Sequence, residues 1–214
     1  ETGEPLPEAA RADVLALIDE FDGTWSRFRQ DSLISALAGG GASVPLPVDA
    51  EAMLDAYVEL STATDGAVNP LVGGSLARRG YDAQLSLVDA GPLAAPDAWR
   101  EVLTWGDGAL SLAAPAVIDV GALGKGRLVD LVLEALAPWA ADDVVVDASG
   151  DLAVRGAPQR IGLEHPFDTR KAIGVWEVRD AALCASATNR RAWGDGLHHV
   201  LDARTGEPVR TIAA

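Results

Sequence analysis

A glycine-rich turn carrying one lysine, residues 121–126, is the part of the sequence best suited to binding an anion. The apolar run at residues 116–120 predicts a strand before the turn, and apolar residues at helical spacing from Leu128 to Trp139 predict a helix after it. Glycines let the backbone approach an anion closely, and the unpartnered N–H groups that begin a helix attract negative charge. Lys125 adds a full positive charge. The arrangement suits a phosphate group, although a tight turn with a solvated lysine fits the spacing equally well.

The turn matches neither of the standard nucleotide-binding fingerprints. Asp119 stands where a Walker A loop has its first glycine, and Gly126 stands where that loop has Ser or Thr. The glycines also do not follow the dinucleotide-binding order G-x-G-x-x-G. The spacing therefore indicates phosphate binding without identifying a nucleotide.

Two adjacent histidines, His198 and His199, precede Asp202 near the end of the sequence. A strand through Val200 and Leu201 would place His199 and Leu201 on one face, and His198, Val200 and Asp202 on the other. A histidine can move a proton near neutral pH, or it can be a structural residue bonded to Asp202 or to the backbone. Two histidines alone do not make a zinc site, because a third ligand is lacking.

Several aspartates lie near the glycine-rich turn and could stand beside a bound Mg²⁺ ion. They are Asp119, Asp130, Asp147 and Asp151. Mg²⁺ is usually held by one or two carboxylates, waters and substrate phosphates, which suits a diphosphate ligand on an acidic protein. The same residues could instead cap helices or form solvated turns.

The composition is that of a globular protein with a strong acidic excess. The 214 residues carry a formal net charge of -15, so no basic face for nucleic acid is expected, and an anionic ligand needs local positive charge. The single cysteine, Cys184, excludes an internal disulfide. No apolar run approaches the ~20 residues of a membrane-spanning helix. The first residues are not a signal peptide, and the start looks trimmed, so both a cytoplasmic and an exported or membrane-associated protein stay open.

Helices and strands both alternate and segregate along the chain, which favours an α+β fold. Ser32 and Asp49 are the predicted N-caps of two of the helices. The predicted helices cover residues 7–25, 33–37, 50 to about 65, 96–105 and 128–139. The predicted strands cover residues 109–112, 116–120, 144–146, 152–155, 161–163 and 175–178.

Four segments, in this order, resemble the ApbE family, the FAD:protein FMN transferases. They are residues 64–70 with 72–73, residues 119–126 with 129–130, residues 149–151, and residues 199–208. Residues 25–32 also resemble the loop that follows the family's first helix. The resemblance covers nearly the whole chain, and it implies an ApbE-like (T-fold-like) α+β fold with mixed sheet layers and flanking helices, as one domain over residues 1–214.

The resemblance also implies an activity. Family members bind FAD with Mg²⁺ on its diphosphate, transfer FMN to a threonine hydroxyl of a target protein and release AMP. Some relatives instead hydrolyse FAD to FMN and AMP. FAD as substrate, Mg²⁺, and an acceptor protein carrying the target threonine are therefore the expected cofactors and partners of this chain.

Site residues follow from the positions that match the family's motifs. The implied FAD contacts are Phe28, Ala67, Val68, Asn69, Asp119, Lys125 and Leu201. Ala122 matches the residue whose backbone carbonyl binds the metal, and His199 matches a histidine near the reacting diphosphate. His199 is therefore the candidate base, with Asp202 as the carboxylate that orients it.

The sequence departs from the family pattern at several points. Val68 and Asn69 replace the usual Phe-Asp, and Ser149 replaces a glycine. The usual first strand with Met-Gly-Thr, and the final segment whose Asp and Thr complete the metal site, have no match, so a domain shortened at both ends is expected. These departures leave two alternatives to transfer: a non-catalytic FAD-binding protein, or an FAD diphosphatase.

Overall fold

The computed structural model of the chain describes residues 1–140 and 142–212, which divide into two compact units. The first unit comprises Glu1–Phe21 and Leu123–Arg190, and the second comprises Asp22–Ala122 and Arg191–Ile212. The helices are α1 (Glu8–Trp25), α2 (Leu33–Leu37), α3 (Ala50–Ala63), α4 (Gly73–Arg78), α5 (Trp99–Val102) and α6 (Gly124–Ala135). The strands are β1 (Ala42–Pro45), β2 (Leu103–Gly106), β3 (Ala109–Leu112), β4 (Val144–Asp147), β5 (Asp151–Arg155), β6 (Gln159–His165), β7 (Asp168–Val178), β8 (Ala181–Cys184), β9 (Ala192–Trp193), β10 (Leu197–His198), β11 (Leu201–Asp202) and β12 (Glu207–Pro208).

In the first unit, helix α6 packs on an antiparallel sheet of order β4-β5-β8. Alternate residues of β4 face opposite sides, so Val144 packs with Val132 of α6 and with Leu136 just after it, whereas Val145 packs with Leu152 and Val154. A second, two-stranded sheet is the long β6–β7 hairpin. The sheet of β4, β5 and β8 thus covers the apolar side of α6.

In the second unit, a three-stranded antiparallel sheet of order β1-β3-β2 packs beside short helices. Asp107 and Gly108 have positive φ values of 49° and 76° and connect β2 to β3, as expected for an Asp-Gly hairpin turn. The largest side chains of the core are fully buried here. They include Leu54, Tyr57, Leu103, Leu110, Leu112 and Ile118.

Several sequence predictions are confirmed. Helix α1 covers the predicted residues, β3, β4 and β5 lie where strands were expected, and strands β6 and β7 contain the other two predicted segments. The Ser32 side chain caps α2 by accepting a hydrogen bond from the Ser35 N–H. No helix within residues 1–140 and 142–212 is long and apolar enough to cross a membrane.

Other predictions are wrong. Residues 116–120 belong to no sheet; Ile118 is buried, and the Asp119 N–H bonds the Pro70 carbonyl at 2.8 Å. The predicted helix over residues 96–105 is limited to α5, because pairing with β3 takes Leu103–Gly106 into β2. Asp49 precedes α3, but its side chain makes no capping bond.

The helix after the glycine-rich turn begins and ends earlier than predicted. Helix α6 includes the lysine and glycine that were assigned to the turn, and it ends at Ala135. Val129 and Val132 are its buried residues on the sheet side, whereas Trp139 lies beyond the helix and is 43% exposed. The apolar stripe is therefore confirmed at Leu128, Val132 and Leu136, which pack in one cluster with Val144, and is wrong at Trp139.

Removing the Ser32 cap should lower stability modestly. Ser32 is 1% exposed, and Ser32→Ala would leave the Ser35 N–H without its partner, at an expected cost of about 1 kcal/mol. Thermal unfolding checks this, with Ser111→Ala as the control because Ser111 makes an exposed side-chain bond to Ser43. Equal melting temperatures for the two variants would contradict the capping role.

Candidate functional site

In the second unit, Asp119 and Gly121 form a turn that three hydrogen bonds stabilise. The Asp119 carboxylate accepts the Gly121 N–H at 2.7 Å through Oδ1 and the Arg27 Nε at 2.5 Å through Oδ2. The Asp119 carbonyl accepts the Tyr57 hydroxyl at 3.1 Å. Tyr57 is 1% exposed; burial, and then the charge of Asp119, raise its pKa, so the hydroxyl stays protonated as a donor. The turn is therefore built by contacts inside the protein.

Arg27 is the cation that balances Asp119. Its side chain is 5% exposed, and its Nη1 donates to the Tyr81 carbonyl at 2.7 Å. The guanidinium lies over the rings of Phe28 at 4.2 Å and Tyr81 at 5.0 Å, distances at which a cation is attracted to a ring face. Its Nη2 has no hydrogen-bond partner among the described residues.

Three rings that we call the aromatic cluster, Phe28, Tyr81 and Trp193, stand beside this cation. Phe28 meets Tyr81 edge-on at 5.3 Å, and Tyr81 stacks on Trp193 at 5.6 Å. Trp193 is fixed by its Nε1, which donates to the Arg79 carbonyl at 2.8 Å. Phe28 is 39% exposed, so the cluster presents one accessible ring, a surface on which a planar ligand can stack.

Arg191 connects the aromatic cluster to His199. Its Nη1 donates to the Tyr81 hydroxyl at 3.1 Å, and its carbonyl accepts the His199 N–H at 3.2 Å. Burial lowers the pKa of His199, and the positive charge of Arg191 lowers it further, which favours the neutral imidazole. Its Nδ1 is buried and without a hydrogen-bond partner in the described part of the chain. A neutral ring with a free nitrogen is chemically able to accept a proton.

No strand runs through Val200, because His199 lies in a bend between β10 and β11. His198 is buried in β10, and its Nδ1 accepts the Val200 N–H at 3.3 Å. Asp202 has a different partner from the one predicted. Its carboxylate bonds the Arg204 guanidinium at 2.6 Å, and this bond holds the pKa of Asp202 below its ordinary value. The turn after β11 brings Arg204 back beside Asp202, and the structure assigns no contact between Asp202 and His199.

The segments containing Ala67 and Ala203 lie side by side, with the Ala203 N–H bonded to the Ala67 carbonyl at 3.1 Å. Asn69 is 5% exposed; its Nδ2 bonds the Pro96 carbonyl at 3.0 Å and its Oδ1 accepts the Leu71 N–H at 2.9 Å. Val68 and Leu201 are half-buried. The two segments wall an open groove of about 650 Å³, whose lining includes Ser61, Asp65, Asn69, Asp97, Ala203 and Arg204.

In the first unit, Lys125 lies in the first turn of α6 and faces the turn at Ser149. Its Nζ bonds the Ser149 carbonyl and the Asp151 carboxylate, each at 3.1 Å. Ser149 has a φ of 59° where the family pattern has a glycine, and its N–H bonds Asp147 at 2.8 Å. The Lys125 side chain is 35% exposed, so it is paired yet accessible.

The aspartates that were candidates for a metal site are distributed over both units, and most of them already bond other residues of the protein. Asp119 is bonded to Arg27, Asp151 to Lys125, and Asp147 to the Ser149 backbone. Within residues 1–140 and 142–212, no group of three or more His, Cys, Asp or Glu residues could hold a metal ion. The described residues therefore do not form a metal centre on their own.

Sequence reasoning missed much of the site in the second unit. Arg27 was noticed only as part of a motif, and Tyr81, Arg191 and Trp193 were not singled out. Tyr81 is separated from Arg191 by 110 positions, and no local periodicity signals a contact over such a distance. The Arg-Phe pair at residues 27–28, in a loop after an amphipathic helix, was the one available signal.

Comparison with known proteins places the chain in a family. The sequence profile of the ApbE family matches residues 3–214. A protein named FAD:protein FMN transferase from Treponema pallidum (strain Nichols) is 30% identical over 240 residues, 95% of this chain and 64% of that protein. A Vibrio cholerae protein of the same name (classical Ogawa 395) is 26% identical over 93% of this chain and 65% of that protein. The chain thus spans just under two thirds of the length of either relative.

The fold agrees with a solved structure. The crystal structure of the ApbE protein from Thermotoga maritima superposes with a TM-score of 0.84 at 19% identity, over 100% of this chain and 74% of that chain. The predicted α+β, ApbE-like fold is therefore confirmed. Because the family profile matches nearly every residue, the chain belongs to the ApbE family.

Proposed function

We propose that the chain binds FAD and transfers its FMN part to a threonine hydroxyl of an acceptor protein, releasing AMP, as a single flavin-transferase domain. The names of its relatives support this activity. The observation that carries the proposal is His199, whose pKa is lowered by burial, whose Nδ1 has no hydrogen-bond partner among the described residues, and which Arg191 connects to the aromatic cluster. Such a site combines a surface for a planar ring with a group that can take a proton.

The aromatic cluster suits one of the two ring systems of FAD. Phe28 is 39% exposed, and aromatic pairs contribute about 0.5–1.5 kcal/mol beyond the burial of their surface. Ala67, Val68, Asn69 and Leu201 are proposed as further FAD contacts through the family resemblance. Since the Asn69 side chain is already bonded within the protein, any contact it makes would use its remaining surface.

The transfer itself needs one proton to move. The acceptor threonine gives its hydroxyl proton to His199, and its Oγ forms a bond to the FMN phosphorus. The bond between that phosphorus and the bridging oxygen breaks, and the bridging oxygen leaves with AMP. A positioned general base of this kind typically contributes about 10²–10⁴-fold to the rate. Since Asp202 is paired with Arg204, we propose that Arg191 positions the backbone of His199 instead, because its carbonyl accepts the backbone N–H of His199.

Mg²⁺ is part of the proposal, with Ala122 as the residue whose carbonyl would meet it. A bound Mg²⁺ would neutralise charge on the diphosphate. The described residues alone do not complete its site, so no step is assigned to the metal. Turnover that is unchanged after complete removal of divalent ions with a chelator would contradict the dependence on Mg²⁺.

Lys125→Ala should weaken FAD binding about tenfold, because hydrogen bonds to charged groups are worth roughly 1.5–3 kcal/mol. The side chain is paired with Asp151 but accessible, so it can turn towards an anionic ligand. Calorimetric titration with FAD gives the Kd. Lys171→Ala is the matched control, since Lys171 is 70% exposed and pairs with Asp168 in the β6–β7 hairpin. Equal Kd values for the two variants would show that Lys125 does not contribute to FAD binding.

AMP release tests the function and separates the alternatives. The protein is incubated with FAD and Mg²⁺, with and without an acceptor peptide containing threonine. Transfer predicts AMP only with the acceptor, which gains FMN; AMP without acceptor would indicate an FAD diphosphatase. Intact bound FAD would indicate a non-catalytic binding protein, the alternative favoured by Asn69, which stands at a position where the family has aspartate and is already bonded within the protein.

A further inference from the structure

We propose that Arg27 is a positioning residue, which neutralises Asp119 and holds the turn at Gly121 so that an anionic dinucleotide can approach it. This inference rests on the proposed function, because it names the residue that neutralises the negative charge at the turn where the diphosphate of FAD would bind. Arg27 would act through Asp119 and not by touching FAD.

The geometry favours an internal role for both residues. Oδ2 of Asp119 bonds Arg27 at 2.5 Å and Oδ1 bonds the Gly121 N–H at 2.7 Å, so each carboxylate oxygen already has a partner. The Asp119 side chain is 14% exposed, which leaves little of it for a ligand. The family resemblance implies that Asp119 contacts FAD directly. Its contacts in the protein indicate instead that Asp119 stabilises the conformation of the turn.

Besides its bond to Asp119, Arg27 is held by one backbone carbonyl and two aromatic rings. Its Nη1 bonds the Tyr81 carbonyl at 2.7 Å, and the rings of Phe28 and Tyr81 lie 4.2 Å and 5.0 Å from the guanidinium carbon. The loop after α1 is thereby tied to the turn 92 residues further along the chain. A planar, always charged guanidinium suits this fork-like arrangement better than the point charge of lysine.

The net charge of the chain explains why the ion pair between Arg27 and Asp119 matters for binding a diphosphate. With a net charge of -15, the protein repels an anionic diphosphate unless negative groups near the turn are neutralised. A carboxylate at Asp119 without Arg27 would be a nearly buried, uncompensated negative charge directly beside the Gly121 N–H that it orients. Loss of Arg27 should therefore weaken FAD binding through charge, and removal of both charges should restore it.

Four variants test this role: Arg27→Lys, Arg27→Gln, Asp119→Asn, and the double variant Arg27→Gln/Asp119→Asn. The FAD Kd and the melting temperature are measured for each. Arg27→Gln should weaken the Kd at least about tenfold, whereas Arg27→Lys, which keeps the charge but loses the planar guanidinium, should weaken it less than Arg27→Gln does. The double variant should return to within about threefold of the wild type, since the side-chain oxygen of an asparagine can still accept the Gly121 N–H.

The double variant decides the question even if Arg27→Gln alone fails to fold, because it leaves no unpaired buried charge. A double variant that folds but binds FAD as weakly as Arg27→Gln, or more than about tenfold more weakly than the wild type, would overturn the role through charge. If the wild type itself shows no saturable FAD binding, the proposed function fails and this inference with it. Saturable binding by the wild type without rescue overturns only the inference about Arg27.

Discussion

Replacing His199 with glutamine is expected to slow FMN transfer by about 10²–10⁴-fold while leaving the FAD Kd nearly unchanged. Nδ1 of the ring has no hydrogen-bond partner among the described residues, and the Arg191 carbonyl accepts the backbone N–H of His199, a bond that glutamine keeps. The measurement is single-turnover release of AMP with saturating FAD and acceptor.

The pH dependence of the same reaction provides a second readout. Burial and Arg191 lower the pKa of His199 from its ordinary value of 6.5, so the neutral base persists below that pH. The acid limb of kcat/KM should therefore have its midpoint below 6.5, and His199→Gln should abolish that limb. His165→Gln is the control, because His165 lies in the β6–β7 hairpin and accepts only the Phe167 N–H. A His199→Gln enzyme as fast as this control would exclude His199 as the base.

Gly206→Ala is expected to destabilise the second unit by about 3–5 kcal/mol. Gly206 has a φ of 70°, and a Cβ atom there would come within 2.2 Å of the Leu93 carbonyl oxygen. Its own carbonyl accepts the Arg79 Nε at 3.0 Å, so the backbone cannot shift without losing a buried bond. Thermal and urea unfolding give the loss of free energy.

Gly108→Ala is the matched control for this substitution. Gly108 has a similar φ of 76°, but a Cβ atom there would meet nothing within 4 Å. It should therefore cost only the conformational penalty, about 1–2 kcal/mol. Equal losses for the two variants would mean that the contact with Leu93 gives way, and that the turn before β12 is less rigid than the structure indicates.

The sequence predicted those elements whose pattern is local. Helix α1, strand β4 and the Ser32 cap follow from periodicity and capping chemistry, and all are present. The prediction of a strand at residues 116–120 was wrong. An apolar run indicates that a segment is buried, but it does not indicate whether another strand lies beside it to pair with. In this protein the segment is covered by side chains and held by isolated backbone bonds.

The site was predictable only in part, for the same reason. The turn at Gly121 and the histidine at residue 199 were found through their motifs, but the partners that define their chemistry are distant in sequence. Arg27 lies 92 positions from Asp119, and Tyr81 lies 110 positions from Arg191. The pairing of Asp202 with Arg204 also could not be read from spacing, since it depends on the turn that follows β11.

The proposed function requires FAD to bind beside the aromatic cluster. Calorimetric titration of the wild type and Phe28→Ala with FAD in the presence of Mg²⁺ tests this most directly. We expect saturable binding at one site per chain, with a Kd between about 1 μM and 1 mM, and at least about a fivefold loss of affinity in Phe28→Ala. No saturable binding by the wild type, or identical affinities for both proteins, would contradict it.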